Sequence, residues 1–505
     1  VCFEICALKT HLAFYEIIGG KMSIQISFRR ILGVLLVGAL LGAWVTPAQG
    51  GTLTVNTLSD EQDSSCTDGD CSLRDALGAA AAGDTIQFSV NGTITLGSSL
   101  TIAKSLTIKG PGAALLRLDG NHTVRVLSIT GAGNSVTLSG LTITNGNSGG
   151  GYGGGVNNGA QLTISQCVFS GNQSNGYGGG LYSNEPLVVD NSRFEGNSAG
   201  SGGAVNISYT TATFTNTTFS GNTALSNDGG AVYSKSTSSL SASLAITNSS
   251  FNANTAVRHG GALYNSSNST TTLTNNTFSA NAANNALPGT QGSGGAIYSD
   301  GNLNIERSLF TGNSAGTAST ANNAGGAIHM SGDTSIANLT NNTFYNNKAR
   351  SAGGAIYFEY AAGTILNNTI YGNGLLGPGA GGGIYATMVY ITVKNSIIAN
   401  NPNNCSVPGL TATSTNNLSN DSSCSPGFST VTLPALALQW RGAYFHPAPG
   451  SAAIDAGTNA ACPSIDQRGW PRPLDGDSNG SAICDVGAIE VSPHQSWIYL
   501  PSVQK

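Results

Sequence analysis

The chain has 505 residues, a formal net charge of -5 and only 9% charged residues, against about 25% in an average soluble protein. That balance excludes nucleic-acid partners, because phosphate binding needs clustered Lys and Arg. Its 69 Gly would suit disorder, but 39% of the residues are hydrophobic and they recur at regular intervals, which disorder does not explain.

Met22 opens a basic start that ends in Arg29-Arg30. An apolar run from Ile31 to Trp44 follows, and Thr46-Pro47-Ala48 or Ala48-Gln49-Gly50 supplies small residues for cleavage. Residues 22–50 therefore read as a signal peptide and residues 1–21 as an upstream translation artefact. A membrane anchor is the alternative, for which the run is short. Export implies an oxidising destination, and hence disulfides. Local pairing would join Cys66 with Cys71, Cys405 with Cys424 and Cys462 with Cys484, although sequence alone leaves connectivity open. Cys167 reads as a small buried hydrophobe, and the absence of CxxC and HxxxH spacing argues against zinc.

Residues 51–84 form an expected N-terminal cap. Ser72-Leu73-Arg74-Asp75 has capping-box spacing, and LRDALGAAAA reads as a helix ending at Gly83. It is expected to cover a first coil that begins near Asp84-Thr85-Ile86.

Residues 85–400 are repetitive. A Gly-Gly-(Ala/Gly)-(Ile/Val/Leu) motif begins at Gly153, Gly178, Gly202, Gly229, Gly260, Gly294, Gly325, Gly353 and Gly381. It alternates with a second motif at Phe169–Asn172, Phe194–Asn197, Phe219–Asn222, 251–254, 278–281, 310–313 and 344–347. Each repeat is too short to form a domain and must bury its apolar side on a neighbour. AIYS and LTIS alternate inward and outward residues, as strands do. Gly supplies turns with positive φ, and Asn tolerates the left-handed region or stacks as a ladder. These features predict an all-β chain wound as a single-stranded right-handed parallel β-helix, with a short N-terminal capping helix. From Asn395 the repeats stop and Cys and Pro appear. A disulfide-containing module is expected over 401–491, followed by a tail over 492–505.

Candidate chemistry is sparse. Polysaccharide hydrolysis needs two converging carboxylates, and elimination needs a cation site and a base. Glu306, Asp333 and Glu359 fall out of register with one another. Asp300 and Glu359 share a repeat position that reads as a solvent-facing loop. His259 and His329 lie within or beside the Gly-Gly motifs and read as tolerated outward residues. No catalytic or cofactor-binding residue is therefore assigned. Tyr182, Tyr233, Tyr264, Tyr298, Tyr357 and Tyr385 recur at one repeat position and form a candidate ligand stripe that could stack on sugar rings or on a partner protein. Packing beneath loops is the competing reading. Asp475, Asp477 and Asn479 match the start of a calcium loop, so calcium is the one candidate cofactor. The acidic loop Asp60–Asp70 is a weaker candidate for the same ion. Asp455, Asp466 and Arg468 read as structural, with an Asp–Arg pair.

Several segments carry a resemblance. CSLRDAL at Cys71–Leu77 resembles the CSLREA motif of exported bacterial β-helix proteins, with Asp75 in place of Glu. The alternating GGA(I/V/L) and FxxN motifs resemble the repeats of chlamydial polymorphic outer-membrane proteins. NSIIANN at 395–401, NNC at 403–405, NNLSND at 416–421, SAAIDAG at 451–457, DQRGWPRP at 466–473 and CDVGAIE at 484–490 resemble the choice-of-anchor Q domain. The stretch Leu433–His446 departs from that domain's pattern. The resemblance implies an extracellular or cell-surface location, outer-membrane-associated where the organism has such a membrane. It also implies a non-catalytic adhesin or structural rod, with surface glycans or host or neighbouring-cell proteins as partners. A carbohydrate-active β-helix enzyme, lyase or hydrolase, is the alternative.

Overall fold

The computed structural model describes residues 50–63, 65–284, 292–316, 323–387 and 389–492. The expected upstream stretch and signal peptide lie outside the described residues as far as residue 49, as does the tail from 493. Among the described residues no helix is long and apolar enough to cross a membrane.

The chain winds as a right-handed parallel β-helix. In one coil, Leu263–Asn265 belongs to a 12-stranded sheet, Ser269–Thr274 to a 13-stranded sheet, Thr277–Ser279 to a 14-stranded sheet and Ala282–Ala283 to a short 7-stranded one. These are called below the second, first, third and fourth sheets. Within these four sheets each strand pairs in parallel with its counterpart one coil away, as in Tyr233↔Tyr264↔Tyr298 and Phe251↔Phe278↔Phe310.

The two sequence motifs account for this stacking. In Gly260-Gly261, the first glycine has φ +64, and a Cβ there would lie 2.2 Å from the Leu263 carbonyl oxygen. A Cβ on the second would lie 2.1 Å from the carbonyl oxygen of Gly295, one coil on. Only glycine lets the coils close at this corner. The Phe of the other motif points inward. Phe169, Phe194, Phe219, Phe251, Phe278, Phe310 and Phe344 are fully buried. Their ring centroids fall 4.6 to 5.1 Å apart, which is the spacing of hydrogen-bonded strands.

The Asn of that motif is buried beside the Phe column. Asn254 Nδ2 donates to Asn281 Oδ1 at 3.0 Å and to the Phe219 carbonyl at 3.0 Å, while its own Oδ1 accepts from the backbone N and Nδ2 of Asn222. The same pattern runs from Asn172 to Asn401, so each buried amide satisfies its neighbours. A second set of Asn residues, including Asn191, Asn216, Asn248 and Asn275, takes positive φ at the turn between the first and third sheets. Cys167 is a free thiol, fully buried near that turn.

The N-terminal helix runs Leu73–Ala79, with Ser72 and Asp75 forming the capping box. It stops short of the expected Gly83. Ala80 is already extended, and Lys104 Nζ donates to the carbonyls of Leu77 and Ala80 at 3.3 and 2.6 Å. The first coil also starts earlier than Asp84, because Thr52–Val55 forms the edge strand of the first sheet and pairs with Thr85–Phe88. Leu73, Ala76 and Leu77 join the apolar core and close that end of the rod, which shields an edge that could otherwise pair with another chain.

The other end differs from the expected change at residue 400. Strand pairing continues through Cys405–Ser406, Asn417–Ser419 and Phe428–Thr430. From Val431 the chain then folds back along the outer face of the third sheet. Leu436, Ala453 and Val486 pack on Ile397, Ala399 and Leu418, and Trp440 and Phe445 pack on Tyr345. Gln467 reaches back to Thr343 and to the Ser308 carbonyl.

Candidate functional site

The outer face of the second sheet carries a column of Tyr and His side chains. Each Gly-Gly corner delivers a strand whose second residue points outward. The parallel register places Tyr182, Asn206, Tyr233, Tyr264, Tyr298, His329, Tyr357 and Tyr385 in a single column. The predicted stripe is thus a continuous ladder, interrupted by Asn206 and His329. Its rings use their faces on one another: Tyr233–Tyr264, Tyr264–Tyr298 and Tyr357–Tyr385 stack at 5.0, 5.4 and 5.3 Å with interplanar angles of 8°, 4° and 17°. Further rings pack beside the interruptions: Tyr152 stacks on Tyr182 at 4.6 Å, and His329 lies 4.7 Å from Tyr298.

Carboxylates flank the ladder. Tyr264 Oη donates to Asp300 Oδ2 at 2.6 Å, and burial together with that carboxylate pushes the Tyr264 phenol well above its ordinary range. Glu359 ends the strand Ile356–Glu359 and pairs in register with Ser331. Glu359 is therefore a strand residue beside the stripe, whereas Asp300, at the same repeat position, lies in the bend just past the strand Ile297–Ser299. His329 is buried, and its Nε2 lies 3.1 Å from Glu359 Oε2. That hydrogen bond holds the Glu359 carboxyl below its usual range. On the other flank, Asp228 is buried, accepts from the His259 backbone N at 3.0 Å and lies 4.0 Å from Arg258. Burial raises its carboxyl pKa. His259 stacks on Tyr298 at 4.4 Å, and burial depresses its imidazole to about 3.

Beside the His329 interruption lies a cavity of about 480 Å³ lined by His329, Ser351, Tyr357, Glu359 and Tyr385 together with small residues. His329 Nδ1 makes no hydrogen bond within the described protein. From the sequence, His329 reads only as a tolerated outward residue. It is the break in a repeated position that locates the cavity.

The predicted calcium residues lie on the returning segment. Asp475 and Asp477 are joined there by Asp455, which sequence spacing did not connect to them. Asp455 accepts from the backbone N of Asp477 at 2.8 Å, Asp475 accepts from the N of Gly480 at 2.9 Å, and Asn479 Nδ2 donates to Asp477 at 2.9 Å. Asn479 thus turns a donor toward the cluster, whereas a cation needs oxygens. In the acidic N-terminal loop, Asp60 is taken by Arg74 in a two-pronged pair at 2.9 Å each. The structure joins Cys66 to Cys71, Cys405 to Cys424 and Cys462 to Cys484. Asp466 is fully buried and holds Arg468 at 2.8 Å. Beneath them, Arg472, Glu490 and Asp485 form a buried cluster that the sequence reading missed. Burial and the neighbouring Glu490 push Asp485 upward.

Two family comparisons match. The family described as "Right handed beta helix region" matches residues 83–284. The Chlamydia polymorphic membrane protein repeat matches residues 343–359, a stretch that contains Tyr357 and Glu359. No curated protein matches the chain. Among solved structures, the Agl-KA catalytic domain is 16% identical with a TM-score of 0.37, covering 66% of this chain and 62% of that one. This chain therefore spans less than two thirds of that domain. A mannuronic acid specific polysaccharide family 6 lyase from human gut microbiota is 12% identical with a TM-score of 0.43, covering 76% and 91%. Pectate lyase Pel9A is 17% identical with a TM-score of 0.34, covering 88% and 97%.

Proposed function

We propose that this protein is a non-catalytic extracellular or cell-surface rod that binds an extended glycan along the outer face of its second sheet. The observation that carries the reading is the hydroxyl and carboxylate ladder from Tyr233 to Tyr385, with Asp300 bonded to Tyr264 and Glu359 to His329. Sugars present hydroxyl donors and acceptors at every ring, and a row of fixed polar partners at the coil spacing suits a repeating polymer. The match of the membrane-protein repeat to residues 343–359, the disulfides and the resemblance of the terminal motifs to exported proteins support a surface location. A glycan array probed with the purified protein tests the reading. Binding that Tyr264→Ser and Tyr298→Ser together weaken is expected. Retention of full affinity in that double variant, or no bound glycan at all, would contradict it.

One observation favours a second reading, glycan cleavage. Asp228 has its carboxyl raised by burial, while Asp300 on the opposite flank of the ladder accepts from Tyr264. Two carboxyl groups held in different environments are the usual means of separating a general acid from a base. A reducing-end assay on the glycans that bind, comparing wild type with Asp228→Asn, separates the readings: release of new ends by wild type alone would favour cleavage.

A further inference from the structure

We infer that the Cys462–Cys484 disulfide is a thiol-exchange site: an external thiol joins Cys462 as a mixed disulfide, and Cys484 departs as a thiolate. The site lies on the returning segment rather than on the second sheet. It takes a thiol, borne by a small molecule or by a cysteine of another protein.

Access favours attack at Cys462. That residue is partly exposed and caps the short turn Asn459–Ala461, whose Asn459 and Ala460 are exposed. Cys484 is fully buried against Asn367 of the rod. An attacking thiolate therefore meets the Cys462 side of the bond. The new S–S bond forms at Cys462 Sγ, the Cys462–Cys484 bond breaks, and its electron pair goes to Cys484 Sγ. The step consumes no oxidant or reductant, because one disulfide replaces another.

The surroundings of Cys484 suit a leaving thiolate. A thiol leaves faster the lower its pKa, and nearby cations and N–H donors lower it. Arg472 Nη1 lies 3.6 Å from Cys484 Sγ and Asn367 Nδ2 lies 3.5 Å from it, with all three residues buried. The same nitrogens donate to the Asp485 carbonyl at 3.3 and 3.0 Å, so they stay in place when the disulfide opens. Glu490, Asp485 and Asp466 are the carboxylates of this region. Asp485 accepts from the backbone N of Asp455 and Val491 at 2.7 and 2.6 Å, and Glu490 from that of Leu474 and Asp485 at 2.8 and 3.0 Å. Asp466 is paired with Arg468. The carboxylates are thus turned to backbone donors and to Arg468, while the sulfur receives the donors of Arg472 and Asn367.

The other two disulfides lack this combination. Cys405 and Cys424 are both buried. Cys71 Sγ lies 3.8 Å from the Ser72 carbonyl oxygen, and the Cys66–Cys71 loop carries Asp68 and Asp70, whose carboxylates converge with that of Asp63. Such a setting disfavours a thiolate. Around Cys462–Cys484 the chain also stays docked after the bond opens. Asn395 donates to the Thr458 carbonyl at 3.0 Å and accepts from the Thr458 backbone N at 2.9 Å, and the Gly487 N donates to the Asn395 carbonyl at 2.7 Å. A joined thiol is therefore tethered without unfolding of the rod.

Incubation of the purified protein with excess reduced glutathione under native conditions, followed by acid quenching, alkylation and peptide mapping by mass spectrometry, tests the assignment. At early times glutathione is expected on Cys462 with Cys484 free, while the other two disulfides stay closed. Glutathione on Cys484, equal opening of all three disulfides, or no adduct would overturn the site. Arg472→Met and Asn367→Leu each remove one donor from the Cys484 sulfur. Each is expected to slow adduct formation by about three- to tenfold, as a leaving-group pKa raised by about one to two units gives at a Brønsted slope of about 0.5. A substitution that merely loosened the fold would expose the disulfide and speed exchange. Faster or unchanged exchange in both variants would therefore overturn the role of the donors. A small protein carrying one exposed Cys replaces glutathione in a second arm. Its capture at Cys462 extends the site to protein thiols, and capture of glutathione alone restricts the site to small ones.

Discussion

The hydroxyl of Thr343 donates to Oε1 of Gln467 at 2.6 Å, although the two residues are 124 positions apart. The bond ties the returning C-terminal segment to a strand four places back from the end of the third sheet. Both groups are buried, so removing one leaves its partner unsatisfied.

Gln467→Ala is expected to cost about 1–3 kcal/mol, concentrated in the returning segment. Limited proteolysis checks it. Cleavage should rise within 431–492 while the repeats remain intact, and uniform cleavage along the chain would show that the segment is not a separate cover.

Asn254→Ala removes the group that serves both neighbouring coils. It takes the acceptor from the backbone N and one Nδ2 hydrogen of Asn222, and removes a donor from the Phe219 carbonyl and from Oδ1 of Asn281, which keeps the backbone N of residue 254. A loss of about 2–4 kcal/mol is expected from several unmade buried bonds. Asn254→Asp should cost no less, since an ionised carboxylate cannot donate to either oxygen. Urea unfolding with an unchanged m-value checks both.

Two glycines should respond in opposite directions. Gly261→Ala places a methyl 2.1 Å from a carbonyl oxygen and 2.5 Å from the backbone of Ala282, and should destabilise by about 3 kcal/mol or more. Gly78 sits in the exposed face of the N-terminal helix with nothing within 4 Å of its would-be Cβ. Gly78→Ala should raise stability by about 0.5–1 kcal/mol. Paired thermal melts give both signs.

The same residues show what sequence reveals. Repeated Phe, Asn and Gly-Gly each solve a local problem of coil closure, so their spacing announced the fold and the inward faces. The ladder of Tyr residues was legible for the same reason. That its rings face one another was not, because stacking depends on the distance between coils. The returning segment left a fainter trace. Outward positions of the third-sheet strands are Ser, Thr or Asn at Ser250, Asn252, Thr277 and Ser279, and become Leu309, Tyr345, Tyr371 and Ile397 where the cover lies. The Arg472–Glu490 cluster joins segments brought together only by that return, so no periodicity could have marked it.

His259 gives the molecule an acid sensitivity. Its folded imidazole titrates near 3, against 6.5 for the free group, so the unfolded chain binds the extra proton between those values. The stability it contributes is present above pH 6.5 and is lost as pH falls toward 3. Glu359, His329, Arg258 and Asp228 face the same region, and burial dominates their combined effect on the ring. His259→Gln should flatten the slope of stability against pH between 6.5 and 3 relative to wild type, as read by chemical unfolding at stepped pH.

Hydrogen exchange with and without a saturating bound oligosaccharide locates the recognition face most directly. The account predicts added protection confined to the second-sheet strands Leu263–Asn265, Ile297–Ser299, Ile328–Ser331, Ile356–Glu359 and Ile384–Thr387 and the turns that flank them. Protection on the first sheet or the returning segment, with none on these strands, would contradict it.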